Sequence, residues 1–326
     1  MSKPRRLPHG ARMARAAPAN LVVVGSMNVD LTASVKRLPA PGETVSASAL
    51  EKRFGGKGAN QALAAARQGA AVTLIGCLGD DPDGRDYRNH LRREGVNCSS
   101  VNTTRGGTGS AFIAVDAKGE NQIIVIPGAN SALTAPSVKV QRSRIEVAKT
   151  LLLQLEVPME SVIEAIRLAN GRQVPVVFNP SPCRADFPWA KVRVEVLIVN
   201  AGEARMIFDA DPAGMQDGVA AWQEKLKEKN IGILIVTRGE KPTLVLHSEG
   251  FKKVATHPVK PVDTVGAGDT FAGAFSTFFA EGMPLLECVR WANAAAALAT
   301  LKHGAQDGIP MRGDVQSALS HAEGKK

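Results

Sequence analysis

Residues 263–273 read DTVGAGDTFAG, a turn of small residues that leads directly into an apolar helical segment. Small residues leave backbone N–H groups uncovered, and a helix N-terminus adds unpaired donors and about half a positive charge. The amides of Gly266, Ala267 and Gly268 can therefore hold a phosphoryl group during its transfer. Asp269, at the start of the same helix, can take the proton of the accepting hydroxyl. Alternatively, Asp269 is only a helix cap and the glycines form only a tight loop.

A second Gly-rich turn before a helix stands at residues 54–61, FGGKGANQ. It is not a P-loop, because Ala59 follows Gly58 and no hydroxyl residue follows the lysine. Its backbone amides, the ammonium of Lys57 and the amide of Asn60 can bind the hydroxyls of a small polar molecule. The alternative is a simple turn followed by a helix cap.

A third motif, GSMNVD at residues 25–30, follows the first predicted strand. Asn28 and Asp30 lie two residues apart, so both point to the same side of an extended chain. An acid beside an amide suits contacts to neighbouring hydroxyls, although both residues could also be loop caps. No G-x-G-x-x-G run follows the strand, so the dinucleotide-binding fingerprint is absent.

Elsewhere apolar strand-like runs alternate with amphipathic segments, beginning with the Val-rich run at residues 21–25. This alternation predicts an α/β domain over residues 21–326, with a doubly wound, mostly parallel sheet covered on both faces. Residues 31–54 and 109–127 break the rhythm, and the second holds two β-prone runs joined by a short turn. We expect these two segments to form a small β-sheet lid over the carboxyl ends of the strands.

The bulk composition excludes several classes of protein. No apolar run approaches the roughly 20 residues that cross a bilayer, so we expect no membrane partner. The net charge is +9, but five of these charges fall in residues 1–20, and aromatic residues are only 4%. Basic and aromatic residues do not interleave, which argues against nucleic-acid binding.

Four cysteines stand far apart, a spacing that predicts neither a zinc site nor a disulfide framework and suits a reducing compartment. Residues 1–20 are basic and lack the apolar stretch of a secretory signal. An organellar transit peptide has a similar composition, but three prolines interrupt any amphipathic helix there. We expect a disordered extension on a cytoplasmic protein.

The three motifs, in this order and spacing, resemble those of the ribokinase-like carbohydrate kinase family, also called the PfkB family. The resemblance runs from about residue 21 to 316 and includes both family signatures, at residues 55–60 and 263–269. Shorter matching stretches lie at residues 41–44, 128–130, 154–156, 179–182 and 304–306. The resemblance implies transfer of the γ-phosphoryl group of ATP, with Mg²⁺, to the 5-hydroxyl of D-ribose.

The resemblance also assigns roles to matching residues. Asp269 is the base, and residues 266–268 form the anion hole. The sugar hydroxyls are held by Asn28, Asp30, Gly56, Lys57, Asn60, Glu156 and Asp269. The nucleotide is held by Asn200, Thr237, Arg238, Gly239, Glu240, Gly268 and Asn293. Glu203, with Asn200, helps to organise Mg²⁺ through water, as suits a cation that sheds its waters reluctantly.

The resemblance further implies a monovalent cation site, for K⁺, beside the anion hole. Its ligands, mostly main-chain carbonyls, would come from Asp263, Val265, Ala299, Lys302, Gly304 and Gly308. A large, weakly hydrated cation suits such a ring of oxygens. Two positions depart from the family pattern: Pro242 replaces a usual glycine in the nucleotide loop, and Gly308 replaces a frequent serine.

Lid sheets in this family commonly pair between subunits, so the resemblance also implies a homodimer through the lid. Related kinases acting on fructose, a keto-deoxy sugar acid or a nucleoside remain alternatives. A non-catalytic sugar sensor that kept the fold is a further alternative from a different class.

Overall fold

The computed structural model describes residues 18–323 and contains two β-sheets. The larger sheet runs, from edge to edge, through β13 (Gly250–Val254), β12 (Lys241–His247), β11 (Ile231–Arg238), β10 (Val194–Asn200), β9 (Val176–Phe178), β8 (Thr150–Leu153), β1 (Asn20–Val24), β4 (Ala71–Gly79) and β5 (Asn97–Thr104). All neighbouring pairs from β11 to β5 are parallel, and only β12 and β13 pair antiparallel. The predicted mostly parallel α/β sheet is confirmed.

Helices cover both faces of this sheet because its strands are apolar on both sides. In β1, Val22 and Val24 pack into one core cluster, and Leu21 and Val23 pack into the other. Successive side chains of a strand point to opposite faces, which explains the unbroken apolar run. One face is covered by α3 (Ala135–Val140), α4 (Arg142–Glu146), α5 (Met159–Asn170), α6 (Ala201–Phe208) and α7 (Val219–Glu228). The other is covered by α1 (Lys57–Arg67), α2 (Pro82–Arg93), α8 (Ala267–Ala280), α9 (Leu285–Ala299) and α10 (Arg312–Glu323).

Helices α1 and α8 touch through a glycine. A Cβ built on Gly273 would lie 2.4 Å from the carbonyl oxygen of Gln61 and 2.7 Å from Cβ of Ala64. Only a residue without a side chain permits this approach. The close contact brings the N-terminal turns of the two helices, which carry the candidate site residues, next to each other.

The smaller sheet is the lid. Its order is β3 (Ala47–Gly55), β2 (Asn28–Val35), β6 (Gly109–Val115) and β7 (Asn121–Ile126). The predicted lid segments are confirmed as a sheet, but β2 begins at Asn28, so Asn28 and Asp30 belong to the lid rather than to the main sheet. The turn between β6 and β7 ends at Gly119, whose φ of 84° suits glycine.

Other boundaries also differ from those expected. Most of the predicted N-terminal extension, residues 1–17, lies outside the described residues. Its last two residues belong to the domain, because Ala19 is buried with its carbonyl bonded to Ala71 and Asn20 begins β1. Strand β5 and the β12–β13 hairpin were not expected. They lie at or next to the edges of the sheet, and their exposed polar residues weaken the apolar signal of a strand.

Candidate active site

The candidate site lies where β1, β8, β9 and β10 end. Parallel strands present their carboxyl ends at one edge of a sheet, and ligands bind in the crevice outside those ends. The chain leaves β1 into Gly25 and Ser26, leaves β8 into Gln154 and Glu156, and leaves β9 into Asn179. The first turns of α1 and α8 complete the site, so the three sequence motifs meet in space.

Asp269 occupies the third position of α8, after Gly266 as N-cap, so it is not the cap itself. It is 7% exposed, and its two carboxylate oxygens accept different amides. Asn60 donates to Oδ2 and Gln61 donates to Oδ1, each at 2.9 Å. Burial raises the pKa of Asp269 above its ordinary value, while the charge of Lys57 and these two hydrogen bonds oppose the rise.

The turn before Asp269 has the backbone that the sequence predicts. Gly266 has a φ of 75°, and a Cβ there would lie 2.7 Å from the carbonyl oxygen of Ala305. A Cβ on Gly268 would meet nothing within 4 Å, so the space beside this residue is open. The N–H of Ala267 donates to the carbonyl of Thr264 at 3.3 Å, a long bond that uses part of this donor.

Several residues expected to bind the sugar lie around the first turn of α1. The carboxylate of Glu156 accepts Ser26 Oγ at 2.6 Å and the backbone N–H of Lys57 at 2.9 Å. Gly56 has a φ of 88°, and a Cβ there would lie 2.6 Å from the backbone nitrogen of Asn28. The close approach of the two chains at Gly56 therefore joins the first helix to the base of the lid.

Asn28 and Asp30 line the lid side of the site. Asn28 is 5% exposed, and its Oδ1 accepts Asn130 Nδ2 at 2.7 Å, which leaves its own amide group for a ligand. Asp30 lies against Gly55, where a Cβ would come within 2.1 Å of the carboxylate. Lid strands β2 and β3 thus hold both polar groups at the mouth of the site.

The site combines three carboxylates with one ammonium group. Burial raises the pKa of Asp30 to about 7, and the charges of Glu156 and Asp269 add to the rise, while Lys57 opposes it. Burial alone would lower the pKa of Lys57, but Asp269, Glu156 and other nearby carboxylates outweigh it and raise the pKa. A protonated Lys57 therefore balances part of the negative charge in a site rich in acceptors for hydroxyl groups.

Comparison with known proteins identifies the family. The model of the pfkB family carbohydrate kinases matches residues 18–312. The chain belongs to this family.

Curated relatives of this pfkB-family kinase carry a more specific name. The chain is 36% identical over 303 residues to the ribokinase of Haemophilus influenzae, covering 93% of this chain and 99% of the relative. It is also 36% identical over 304 residues to the ribokinase of Bacillus subtilis, covering 92% and 99%. The structure of Arabidopsis thaliana ribokinase complexed with ribose and ATP aligns with a TM-score of 0.86 at 30% identity, over 93% of this chain and 99% of that one. The predicted family and kinase class are confirmed.

Most residues expected to hold the nucleotide lie at the ends of β10 and β11, while Gly268 lies in α8 and Asn293 in α9. Several of their side chains are already engaged. Asn200 and Glu203 form a capping box on α6, in which each side chain accepts the backbone N–H of the other residue. Arg238 donates from Nε and Nη2 to the carbonyl of Pro242 at 2.9 and 2.6 Å. The glycine-to-proline change therefore stands in β12, where the proline carbonyl fixes the arginine.

Two further residues of the predicted nucleotide set, Asn293 and Thr237, also form structural hydrogen bonds. Asn293 is 6% exposed; its Oδ1 accepts Thr243 Oγ1 at 2.8 Å and its Nδ2 donates to Ala255 O at 3.1 Å. Thr237 donates from its hydroxyl to Val199 O at 3.3 Å. Gly239 turns with a φ of 62°, and the carbonyl of Glu240 accepts Thr256 Oγ1. Asn293 thus ties α9 to the β12–β13 hairpin.

The two loops predicted to hold K⁺ lie together. Asp263 accepts the N–H of Val265 at 3.0 Å and the N–H of Gly304 at 2.9 Å. Gly308 packs against Ala299, since a Cβ on Gly308 would lie 2.1 Å from the Ala299 oxygen. Five of the predicted K⁺ ligands would use their main-chain carbonyls: Val265, Ala299, Lys302, Gly304 and Gly308. Within residues 18–323, none of these five oxygens accepts a hydrogen bond. Free carbonyl oxygens are a donor set that fits K⁺.

Several polar residues of the site were given no role from the sequence alone, although they fall within its matching stretches. They are Gln61, Asn130, Gln154, Asn179 and Gln306. Their amides bond to one another and to the predicted site residues. The signal was their position inside the quoted motifs, but a sequence does not show which amide faces which.

Across the described part of the chain, no helix is long and apolar enough to cross a membrane.

Proposed function

We propose that this kinase transfers the γ-phosphoryl group of ATP to the 5-hydroxyl of D-ribose, giving ribose 5-phosphate and ADP. The observation that carries the proposal is the buried Asp269 carboxylate, held by two amides at the open N-terminus of α8. The similarity to curated ribokinases and to a ribokinase solved with ribose and ATP supports the choice of sugar and nucleotide.

In this proposal Asp269 is the general base. It takes the proton of the 5-hydroxyl while the oxygen forms a bond to the γ-phosphorus, and the bond from that phosphorus to the bridging oxygen of ADP breaks. The amides of Gly266 and Gly268, with that of Ala267, hold the charge on the transferred group. Forming the last of these contacts requires Ala267 to give up its long bond to Thr264.

The sugar is held by the polar groups at the lid base and the first turn of α1. Asp30 and Glu156 accept hydroxyl protons, while the amide of Asn28 and the ammonium of Lys57 donate to hydroxyl oxygens. Asn60 and the backbone at Gly56 complete this set. Because the site holds both carboxylates and donors, each hydroxyl of a small polyol can find a partner.

The nucleotide lies over the ends of β10 and β11, against Asn200, Thr237, Arg238, Gly239, Glu240, Gly268 and Asn293. Asn293 acts there by supporting the hairpin wall, since its own amide is engaged. Bound Mg²⁺ neutralises charge on the phosphates. Glu203 fits a water-mediated role, because its capping bond uses Oε2 and leaves one carboxylate oxygen free for water.

K⁺ is proposed between the loop of Asp263 and the loop of Gly304. The fit rests on the free carbonyls of both loops and on the bond from Gly304 N–H to Asp263. Gly266 packs directly on Ala305, so the cation loop and the anion hole share a contact. Filling the site would therefore stiffen the turn that holds the transferred phosphoryl group.

We also propose a homodimer through the lid, in the cytoplasm, with no nucleic-acid or membrane partner. Strand β7 is an edge of the lid sheet, and its run Ile123, Ile124, Val125 and Ile126 is about half exposed or more. Opposite Ile124, Phe112 of β6 is also exposed. An exposed apolar edge strand is a surface that proteins normally cover.

The experiment that tests the function is a coupled ADP-release assay over pentoses, hexoses, sugar acids and nucleosides. We expect ribose to give the highest kcat/KM. A preference for another sugar or for a nucleoside would keep the kinase and change its substrate. If no compound causes sugar-dependent ADP release, the remaining interpretation is a sugar sensor without kinase activity.

Asp269→Asn tests the base, with Asp314→Asn as the matched control. Asp314 holds the same third helical position in α10 but is exposed and far from the site. We expect Asp269→Asn to lower kcat by about 10²–10⁴-fold, because asparagine keeps the shape but cannot take the proton. Ribose binding without turnover should change by about tenfold or less, and Asp314→Asn should behave as wild type. If Asp269→Asn keeps a kcat near that of wild type, Asp269 has only a structural role and is not the base.

A further inference from the structure

The two amides that hold Asp269 are themselves oriented from behind. A carboxamide can turn by 180° and exchange its donor for its acceptor, so its orientation depends on all of its partners. If Asn60 turned, its oxygen would face the Asp269 carboxylate, and the base would lose a hydrogen bond and gain a repulsion. The same holds for Gln61 on the other oxygen.

Two buried glutamines oppose this exchange, and for Gln61 so does Asn179, whose Oδ1 accepts Gln61 Nε2 at 3.0 Å. Among the described residues, Gln154 Oε1 has no hydrogen-bond partner of its own. Gln306 donates from Nε2 to Asn60 Oδ1 at 2.9 Å, and Gln154 donates from Nε2 to Gln61 Oε1 at 2.6 Å. Gln306 is 5% exposed and Gln154 is fully buried. Each glutamine offers a donor where its neighbour must present an acceptor, which leaves the NH₂ group of that neighbour directed at Asp269.

Gln306 is anchored more fully than Gln154. Its Nε2 also donates to Tyr87 Oη at 2.7 Å, and its Oε1 accepts His90 Nε2 at 3.0 Å. Tyr87 in turn donates from its hydroxyl to Gly55 O at 2.5 Å, at the end of lid strand β3. A directed chain of hydrogen bonds therefore runs from α2, through the loop that carries Gly304, to the base.

We propose that Gln306 and Gln154 are positioning residues that fix the amides of Asn60 and Gln61, so that both donate to the ionised Asp269 carboxylate. The proposal rests on the proposed role of Asp269 as base. Neither glutamine touches the reacting atoms. They act by keeping a buried carboxylate charged at neutral pH, since hydrogen bonds to the charged form favour it.

The test is the pH profile of kcat in Gln306→Met, with saturating ribose and ATP. Methionine has a similar length and cannot donate to Asn60. Charged groups that also act on Asp269 are Lys57, Glu156 and Asp30, while Tyr87 and His90 face Gln306. Saturating ribose removes the titration of Asp30, a proposed binding group, from the profile.

We expect the acid limb of kcat to move to higher pH by about one unit, so that kcat falls most below that limb and less at high pH. Gln154→Met should move the limb in the same direction. The matched control is Gln68→Met, which deletes another buried glutamine amide, bonded to Pro310 O and outside this network. If the acid limb of the kcat profile stays at the wild-type pH in both Gln306→Met and Gln154→Met, the proposal is overturned.

Two further outcomes keep the result interpretable. If Gln306→Met loses its cooperative melt, the limb of Gln154→Met decides, because that variant removes the donor that faces Gln61 Oε1. If wild type shows ribose-dependent turnover and Asp269→Asn abolishes it, an unmoved limb refutes only the positioning role. Full activity in Asp269→Asn would instead refute the proposed base.

Discussion

Gly273 offers the sharpest test of how the fold builds the site. In Gly273→Ala the new Cβ would lie 2.4 Å from Gln61 O, 2.7 Å from Ala64 Cβ and 3.0 Å from Ala65 N. Ordinary contact begins near 3.4 Å, so α1 and α8 must separate by about 1 Å. Two of the three atoms are backbone, which cannot turn aside as a flexible side chain could.

The expected loss of stability follows from two opposing effects. Overpacking costs about 1–3 kcal/mol, and we take the upper end because the obstacle is backbone. Replacing glycine by alanine within a helix returns about 1 kcal/mol. The net loss is about 2 kcal/mol. For a chain of 326 residues, an unfolding entropy of about 2.1 cal/mol/K per residue gives about 0.7 kcal/mol/K, so Tm should fall by about 3 °C.

Activity should suffer more than stability. Separating the helices moves Asp269 away from Asn60 and Gln61, and a displacement of about 1 Å can cost about 100-fold in rate. We expect kcat for ribose to fall at least tenfold at a temperature where the protein is fully folded. The assays are a thermal melt by circular dichroism and coupled ADP release.

The matched control is Gly313→Ala in α10, where the new Cβ would meet nothing within 4 Å. It should raise Tm slightly and leave kcat unchanged, because only the helix propensity changes. If Gly273→Ala melts at or above wild type and keeps its kcat, the helices are not held at this contact and the packing argument fails.

Three other perturbations test the charge of the site, the cation and the lid. Between about pH 4 and 7 the folded Asp30 is protonated while the unfolded one is ionised, so its contribution to stability falls as pH rises through this range. Asp30→Asn should therefore melt at a higher temperature than wild type at pH 8, with a gain in stability of up to about 4 kcal/mol. This difference should shrink toward pH 5, and ribose binding measured by calorimetry should be weaker. If variant and wild type melt equally at both pH values, the raised pKa of Asp30 is contradicted. Replacing Na⁺ with K⁺ at constant ionic strength should raise kcat several-fold, and equal rates at saturating substrates would remove the cation from the proposal. Ile124→Lys should convert a dimer to monomers in sedimentation, whereas Val140→Lys, exposed on α3, should not; an unchanged mass for Ile124→Lys would place any dimer contact elsewhere.

The sequence predicted the sheet and the lid from local patterns, whereas the meeting of the three motifs was implied only by the family resemblance. A continuous Val-rich run, as at residues 21–24, is typical of a strand covered on both faces. A Gly-rich turn before a helix, as at residues 266–268, offers unpaired backbone N–H groups that suit an anion. These features need no knowledge of distant residues.

The direction of the amides could not be predicted, because it is set by partners far along the chain. Asn60 was assigned to the sugar, and in the structure its side chain also bonds to Asp269 and to Gln306, each more than 200 residues along the chain. Asn200 and Asn293 were expected at the nucleotide, and both have structural bonds that no local pattern announces. Hydrogen-bond partners far along the chain therefore could not be predicted from the sequence.

The position of Asn28 and Asp30 on β2 has a consequence for fidelity. Both groups lie on a lid strand, so under the proposed function the sugar would be bound partly by the element that closes over it. A molecule that lacks the matching hydroxyls, including water, would leave Asp30 without partners and give the cover no reason to shut. Recognition and closure would then be a single event, and the enzyme would spare its ATP whenever the correct acceptor is missing.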